Sequence, residues 1–311
     1  MKIKRIQFNN YGDASKMYLG EYELAQLKPN DVQVRVKAAA VNPLDWKQRR
    51  GDLKLFMNKK FPKGIGNDFS GIVEAIGSNV QNIKVGDEVF GTMDVKHPGA
   101  FAEKLITNSK YVTKKPINIS HADASCLPIA AAVAWAALFI KGNVTQNSRV
   151  LINGCMGAVG SIAVQLAKEK GAWIAGTCSK KDIEEARKNG VNEVYEFTEN
   201  NYWKKTQPFD VVFDTAGLMQ QRIGFSMLKS NGKFIDINPT PMSMLKGLFI
   251  AKYKFTFATA AMKHLSDFAN LAEKGILKAK IGKETNISKA IEILTEIENG
   301  NGAKGRTVII F

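Results

Sequence analysis

Cysteine and histidine are scarce in this chain of 311 residues, with three of each. The cysteines, at 126, 155 and 178, are too few and too scattered for a disulfide framework. That points to a reducing compartment, and a cytoplasmic protein is expected. No C-x-x-C pair and no paired histidine spacing occurs among Cys126, Cys155, Cys178, His97, His121 and His264, so no metal site is expected. No apolar run reaches membrane-spanning length, and the opening Met1-Lys-Ile-Lys-Arg-Ile6 goes straight into a strand-like alternation. Neither a membrane span nor a signal or transit peptide is expected. Internal repeats and low-complexity tracts are absent as well.

Apolar residues make up 45% of the chain, which suits a globular protein of one or two domains. The net charge of +15 is large. A charge of that size can mark a partner such as nucleic acid. Here the lysines spread over the whole sequence, with no basic patch interleaved with aromatics. A generally basic surface that attracts a polyanionic cofactor is the preferred reading, and no nucleic-acid partner is expected.

The most informative stretch is 149–181. Val150, Leu151 and Ile152 form a short apolar run, the pattern of a buried parallel strand. Glycines follow at 154, 157 and 160, and Val159, Ile162, Ala163, Leu166 and Ala167 then recur at helical spacing. Gly171 closes that helix, and a second strand runs from Trp173 to Thr177. A strand, glycine turn, helix and strand in about 30 residues read as a dinucleotide-binding unit. Glycine lets the backbone approach a pyrophosphate, and the helix start offers unbonded N–H groups with partial positive charge. The cofactor candidates here are Gly154, Gly157, Ala158, Val159 and Gly160. The spacing is G-x-x-G-x-x-G, and glycines that serve only the turn would look similar.

A further absence lies at the end of the second strand. An NAD site usually carries Asp or Glu there to hold the ribose 2′-hydroxyl. This chain has Ser179-Lys180-Lys181 instead. A hydroxyl and two ammonium groups suit a 2′-phosphate, so NADPH is expected rather than NADH. Ser179 could equally cap a helix with Asp182, a role compatible with phosphate binding.

Residues 1–120 read as mostly β. Val32-Gln-Val-Arg-Val-Lys37 alternates with period 2, and residues 71–77 and 86–91 are short strands bounded by glycine. Residues 122–141 are alanine-rich and helix-prone, with Pro128 interrupting. Strand and helix alternate over 149–258, with further parallel strands at 209–214 and 232–237. Helices are expected at 262–275 and 287–298, and a final strand at 306–311. The fold class is α/β: a β-rich part, then a doubly wound parallel-sheet part, with a cleft between them as the default substrate site.

Several motifs then agree in order. They are Asn42-Pro-Leu-Asp45-Trp-Lys47, Gly66-Asn-Asp-Phe-Ser-Gly71, Gly86-Asp-Glu-Val-Phe-Gly91, Gly99-Ala-Phe-Ala-Glu103, Asp210-Val-Val-Phe-Asp-Thr-Ala-Gly217 and Gly305-Arg-Thr-Val308. In this the sequence resembles the medium-chain dehydrogenase/reductase superfamily, and within it the zinc-independent quinone oxidoreductase and enoyl-reductase-like branch. The resemblance implies a GroES-like domain (1–121 with 259–311) around an inserted Rossmann domain (122–258). It implies reduction of a quinone or an activated double bond with NADPH, and allows a homodimer. It adds Phe197, Thr215, Ala216 and Asn238 to the cofactor candidates. Zinc-dependent members hold zinc with Cys, His and Cys, and the matching positions here are Asn42, Asn67 and Ile129. Departures from the branch's pattern are Val133 for a threonine, Phe197 for a tyrosine and Ile183 for a lysine.

Without zinc to polarise a carbonyl, the substrate must already be electrophilic, as quinones and α,β-unsaturated ketones or aldehydes are. A developing oxyanion needs a hydrogen-bond donor. The candidates are the Asn42 amide, a cofactor ribose hydroxyl or solvent. Asn42 and Asp45 are the catalytic candidates, although Asp45 also suits ordering of its loop. The main alternative is an NADPH-loaded binding protein without enzymatic activity, in the manner of zeta-crystallin, acting on nucleic acid through its charge. The apolar residues of 238–256 suggest a pocket wall or an oligomer contact.

Overall fold

The computed structural model describes residues 1–199 and 201–311, with the side chains of Lys205 and Lys246 set aside. Contacts divide the chain into two compact units, 1–129 with 262–311 and 130–261.

The first unit is built on antiparallel pairing. The strand Asp31–Ala40 pairs with Asp68–Ile76, and its alternation buries Val32, Val34 and Val36 while the residues between face outward. Glu88–Thr92 extends the sheet on one side. On the other side, Arg306–Ile310 sets Val308 opposite Ala40 and Ile309 opposite Ala39. These small side chains lie beneath the helix His121–Ser125, so that Ala38, Ala40, Ala122, Cys126 and Val308 form one cluster. The expected division at 121/122 would put this helix in the second unit, whereas the Ala122 and Cys126 contacts hold it in the first. Pro128 does end one helix and start another, Pro128–Trp135, because a missing N–H costs nothing in a first turn.

The second unit is a six-stranded sheet, and every pair in it is parallel. Arg149–Asn153 lies at its centre, with Trp173–Cys178 and Glu193–Glu196 on one side. Phe209–Asp214, Leu228–Asp236 and Tyr253–Phe255 lie on the other. Val150, Leu151 and Ile152 are wholly buried, as a strand covered on both faces requires. The chain reverses its direction of winding between Arg149–Asn153 and Phe209–Asp214. In such sheets the crevice at the carboxyl ends of these two strands is the ligand position. Among the described residues no helix is long and apolar enough to cross a membrane.

Candidate nucleotide and active site

The turn after Arg149–Asn153 is shaped by contacts that leave no room for side chains. Gly154 sits at φ +81°, a conformation L side chains rarely adopt. A Cβ on Gly160 would lie 2.1 Å from the Gly154 carbonyl oxygen. Gly157 differs: its φ is −75°, and a Cβ there would meet only that same oxygen at 3.3 Å. The space beside Gly157 is thus tight only toward that oxygen and open otherwise, which makes it a cradle. The helix Ala158–Glu169 starts here and no side chain caps it, so the N–H groups of Ala158, Val159 and Gly160 face the cradle's end of the helix.

A buried polar scaffold fixes the turn. The Gly154 N–H donates to Thr177 Oγ1 at 2.9 Å, and Thr177 Oγ1 donates to Asn153 Oδ1. Asn153 Nδ2 donates to Asp214 Oδ1 at 2.7 Å. Asp214 also accepts from the N–H groups of Gly217 and Met219, at 3.0 and 2.9 Å, which orders the loop after its strand. Thr215 belongs to this scaffold too, because its hydroxyl donates to the Asn153 carbonyl at 2.6 Å. Asn153 and Thr177 were not singled out from sequence, and Asp214 stood only within the Asp210–Gly217 motif. Their signal was only their place at the carboxyl end of a strand.

The remaining cofactor candidates ring the same strand ends. The Cys155 N–H donates to the Thr177 carbonyl and the Phe197 N–H to the Cys178 carbonyl, each at 3.0 Å. Ser179, Lys180 and Phe197 thus border the glycine turn. Phe197, Lys180, Lys181, Ala216 and Asn238 are exposed, and Asn238 lies against Gly217. Lys180 and Lys181 have no ion partner among the described residues. The Ser179 hydroxyl donates to Asp182 Oδ2, so its proton serves the turn Lys180–Asp182. The donor set fits a dinucleotide: uncapped amides for a diphosphate and two cations for a further phosphate. Cys155 is wholly buried, and burial pushes its thiol well above the usual range, consistent with a small filler.

Around Asn42 in the first unit the polar groups are sealed. Asn42 is 3% exposed. Its Nδ2 donates to Asp68 Oδ2 at 3.0 Å and to the Ala40 carbonyl at 3.3 Å, while its Oδ1 accepts from Arg306 Nη2 at 2.9 Å. Both amide hydrogens are committed, which leaves the expected oxyanion donor with no proton to offer. Asp45 accepts from the Asn42 N–H and from Asn67 Nδ2, both at 2.7 Å, and so orders the loop. Asn67 Nδ2 also reaches Gln48 Oε1 at 2.7 Å. Asp68 accepts from the Ile129 N–H at 3.2 Å. Burial pushes the Asp45 and Asp68 carboxyls up to about 7 against the opposing pull of these donors and of Arg306.

Zinc does not fit these positions. Ile129 has no side-chain donor, and the Asn42 oxygen already faces a guanidinium. Among the described residues no three His, Cys, Asp or Glu side chains gather at one point.

One constellation had no sequence signal. Ser70 Oγ lies 2.7 Å from His121 Nδ1, and His121 Nε2 lies 3.4 Å from Glu88. It resembles a nucleophile triad on paper. Ser70 is wholly buried and its hydroxyl donates to the Val89 carbonyl, so the set is structural.

Two family models match the chain in order: the alcohol dehydrogenase GroES-like domain over 28–117 and the zinc-binding dehydrogenase over 158–244. The chloroplast envelope quinone oxidoreductase homolog of Arabidopsis thaliana is 28% identical, across 98% of this chain and 97% of its own. A mitochondrial NAD(P)H oxidoreductase of Bos taurus is 29% identical over 90% of this chain and 82% of its own. The quinone oxidoreductase of Coxiella burnetii superposes with a TM-score of 0.90 at 26% identity, covering 100% of both chains. Both domain types thus recur in the family's order, with relatives and a solved fold matched nearly end to end. The chain belongs to the medium-chain dehydrogenase/reductase superfamily, as an oxidoreductase of its quinone oxidoreductase-like group.

Proposed function

We propose that this oxidoreductase uses NADPH to reduce quinones or α,β-unsaturated ketones and aldehydes. The observation that carries the cofactor choice is the exposed Lys180-Lys181 pair where an NAD site would place a carboxylate. A phosphate dianion between two ammonium groups gains charge-assisted contacts that a ribose hydroxyl cannot match. NADPH, when bound, supplies the hydride. The chain's part is positioning: Gly154, Gly157 and Gly160 admit the diphosphate, and the amides of Ala158, Val159 and Gly160 meet it.

The substrate class follows from what the chain does not offer. Asn42, Asn67 and Ile129 provide no Lewis acid site, and Asn42 is a positioning residue with its protons committed. The donor to a developing oxyanion is then a cofactor ribose hydroxyl or solvent. Substrates with an electron-poor carbon or oxygen of their own are favoured, and simple ketones are not. The three cysteines are buried thiols, in keeping with a reducing compartment.

The test is oxidation of NADPH and of NADH followed over a panel of quinones, enals, enones and simple ketones. Turnover of quinones or enones with NADPH, at a kcat/KM well above that with NADH, is expected. Equal use of NADH would sink the lysine argument, and turnover of simple ketones would sink the argument about substrate class.

A further inference from the structure

The first unit holds a groove of about 450 Å³ that shares no residue with either constellation above. Its volume lies in the range of small-molecule sites, roughly 300–1,000 Å³. Three separate stretches build it: 79–83, 109–114 and 262–266. Its floor is apolar, from Ile83, Val112, Met262 and Leu265, each mostly covered but still 3% to 8% exposed. Its rim is cationic, from Lys110, Lys114 and Lys263.

Charge in the groove has one sign, since no Asp or Glu lines it. Two carboxylates on flanking residues are already engaged, Asp87 by Lys114 at 3.0 Å and Asp267 by His264 at 2.7 Å. Lys110 and Lys263 have no ion partner among the described residues. The hydroxyls of Ser109, Thr113 and Ser266 lie in the same lining and can donate to phosphate oxygens. An apolar floor beneath a rim of cations and hydroxyls is complementary to one kind of molecule, an apolar body carrying a phosphate. Cations over low-dielectric walls concentrate such an anion and strengthen its contacts.

We propose that this groove is a second ligand site, for a phosphate-bearing amphiphile, separate from the nucleotide cradle. The apolar body lies on Val112, Met262 and Leu265, and the phosphate meets Lys110 and Lys263. The site does not depend on the cofactor or substrate chosen above.

The test uses hexyl phosphate as probe, titrated calorimetrically into the full chain with NADPH present in excess. Saturable binding of one probe per chain is expected. It should weaken about tenfold or more in Lys110→Glu/Lys263→Glu, as loss of two charge-assisted contacts requires. Lys110→Gln/Lys263→Gln should weaken it less, and both variants should melt at the wild-type temperature because both lysines are exposed. Lys180→Ala/Lys181→Ala should bind the probe as wild type does. The proposal is overturned by no saturable binding, by unchanged binding in the charge-reversed variant, by loss of binding in the Lys180/Lys181 variant, or by hexanol binding as tightly as hexyl phosphate.

Discussion

The glycine turn of the second unit and the Asn42 network of the first are both polar, yet they use their polarity in opposite ways. At the turn, donors are left over: uncapped amides, an open space at Gly157, and two exposed lysines. Around Asn42 nearly every donor is matched inside the protein, and the carboxyls of Asp45 and Asp68 lie in full burial. Left-over donors await a ligand, whereas matched donors hold a loop in place. The contrast supports the proposal that the second unit's strand ends recognise a cofactor, while the Asn42 network holds its own loop in place.

Breaking the sealed network should have the largest effect. Arg306→Leu removes the one cation that acts on both Asp45 and Asp68 among the described residues and leaves Asn42 Oδ1 without its donor. A loss of about 3 kcal/mol is expected, read by urea unfolding. A variant as stable as wild type would show that the network holds nothing. At the open site, Lys180→Ala/Lys181→Ala should raise the KM for NADPH by roughly tenfold or more and leave that for NADH unchanged. An equal rise for both cofactors would place the lysines on something other than the third phosphate. Gly157→Ala sharpens the contrast further. Its φ suits any residue and a Cβ would press only on the Gly154 carbonyl oxygen, so stability should change by no more than about 1 kcal/mol, while the KM for both cofactors rises several-fold. Unfolding of that variant would mean the cradle is structural.

A separate effect is a slope in stability with pH. Unfolded, Asp45 and Asp68 titrate near about 4, and burial raises both to about 7 in the folded chain. Between those values the folded state holds more protons, so their contribution to stability falls as pH rises from about 4 and levels off above about 7. Asp45→Asn should flatten part of that slope in melts across the range. A steeper slope in the variant would reverse the assignment.

The second unit was legible because its central strands are short apolar runs and its turn is marked by glycine. Its two missed strands show the limit. Glu193–Glu196 buries only Tyr195, and Tyr253–Phe255 is three residues long at a sheet edge, so neither carries a pattern. The Asn42 network was legible only as separate motifs. Arg306 and Asn42 are 264 positions apart, and nothing local to either names the other. Nor could spacing show that both Asn42 amide hydrogens are spent, since that depends on Asp68 and the Ala40 carbonyl. Ser179 looked like a phosphate ligand, and its partner Asp182 was visible, but which way the proton points is a matter of geometry.

On the NADPH reading proposed above, that hydroxyl has a consequence for how two dinucleotides would be told apart. With the Ser179 proton turned inward, the discriminating contact at the strand end would be ionic and would come from two solvated side chains. Attraction of that kind fades as counterions crowd in, over a distance of about 8 Å at physiological ionic strength. The proposed choice of NADPH over NADH would then be a property of the medium as much as of the fold, sharp in dilute buffer and blunter in brine.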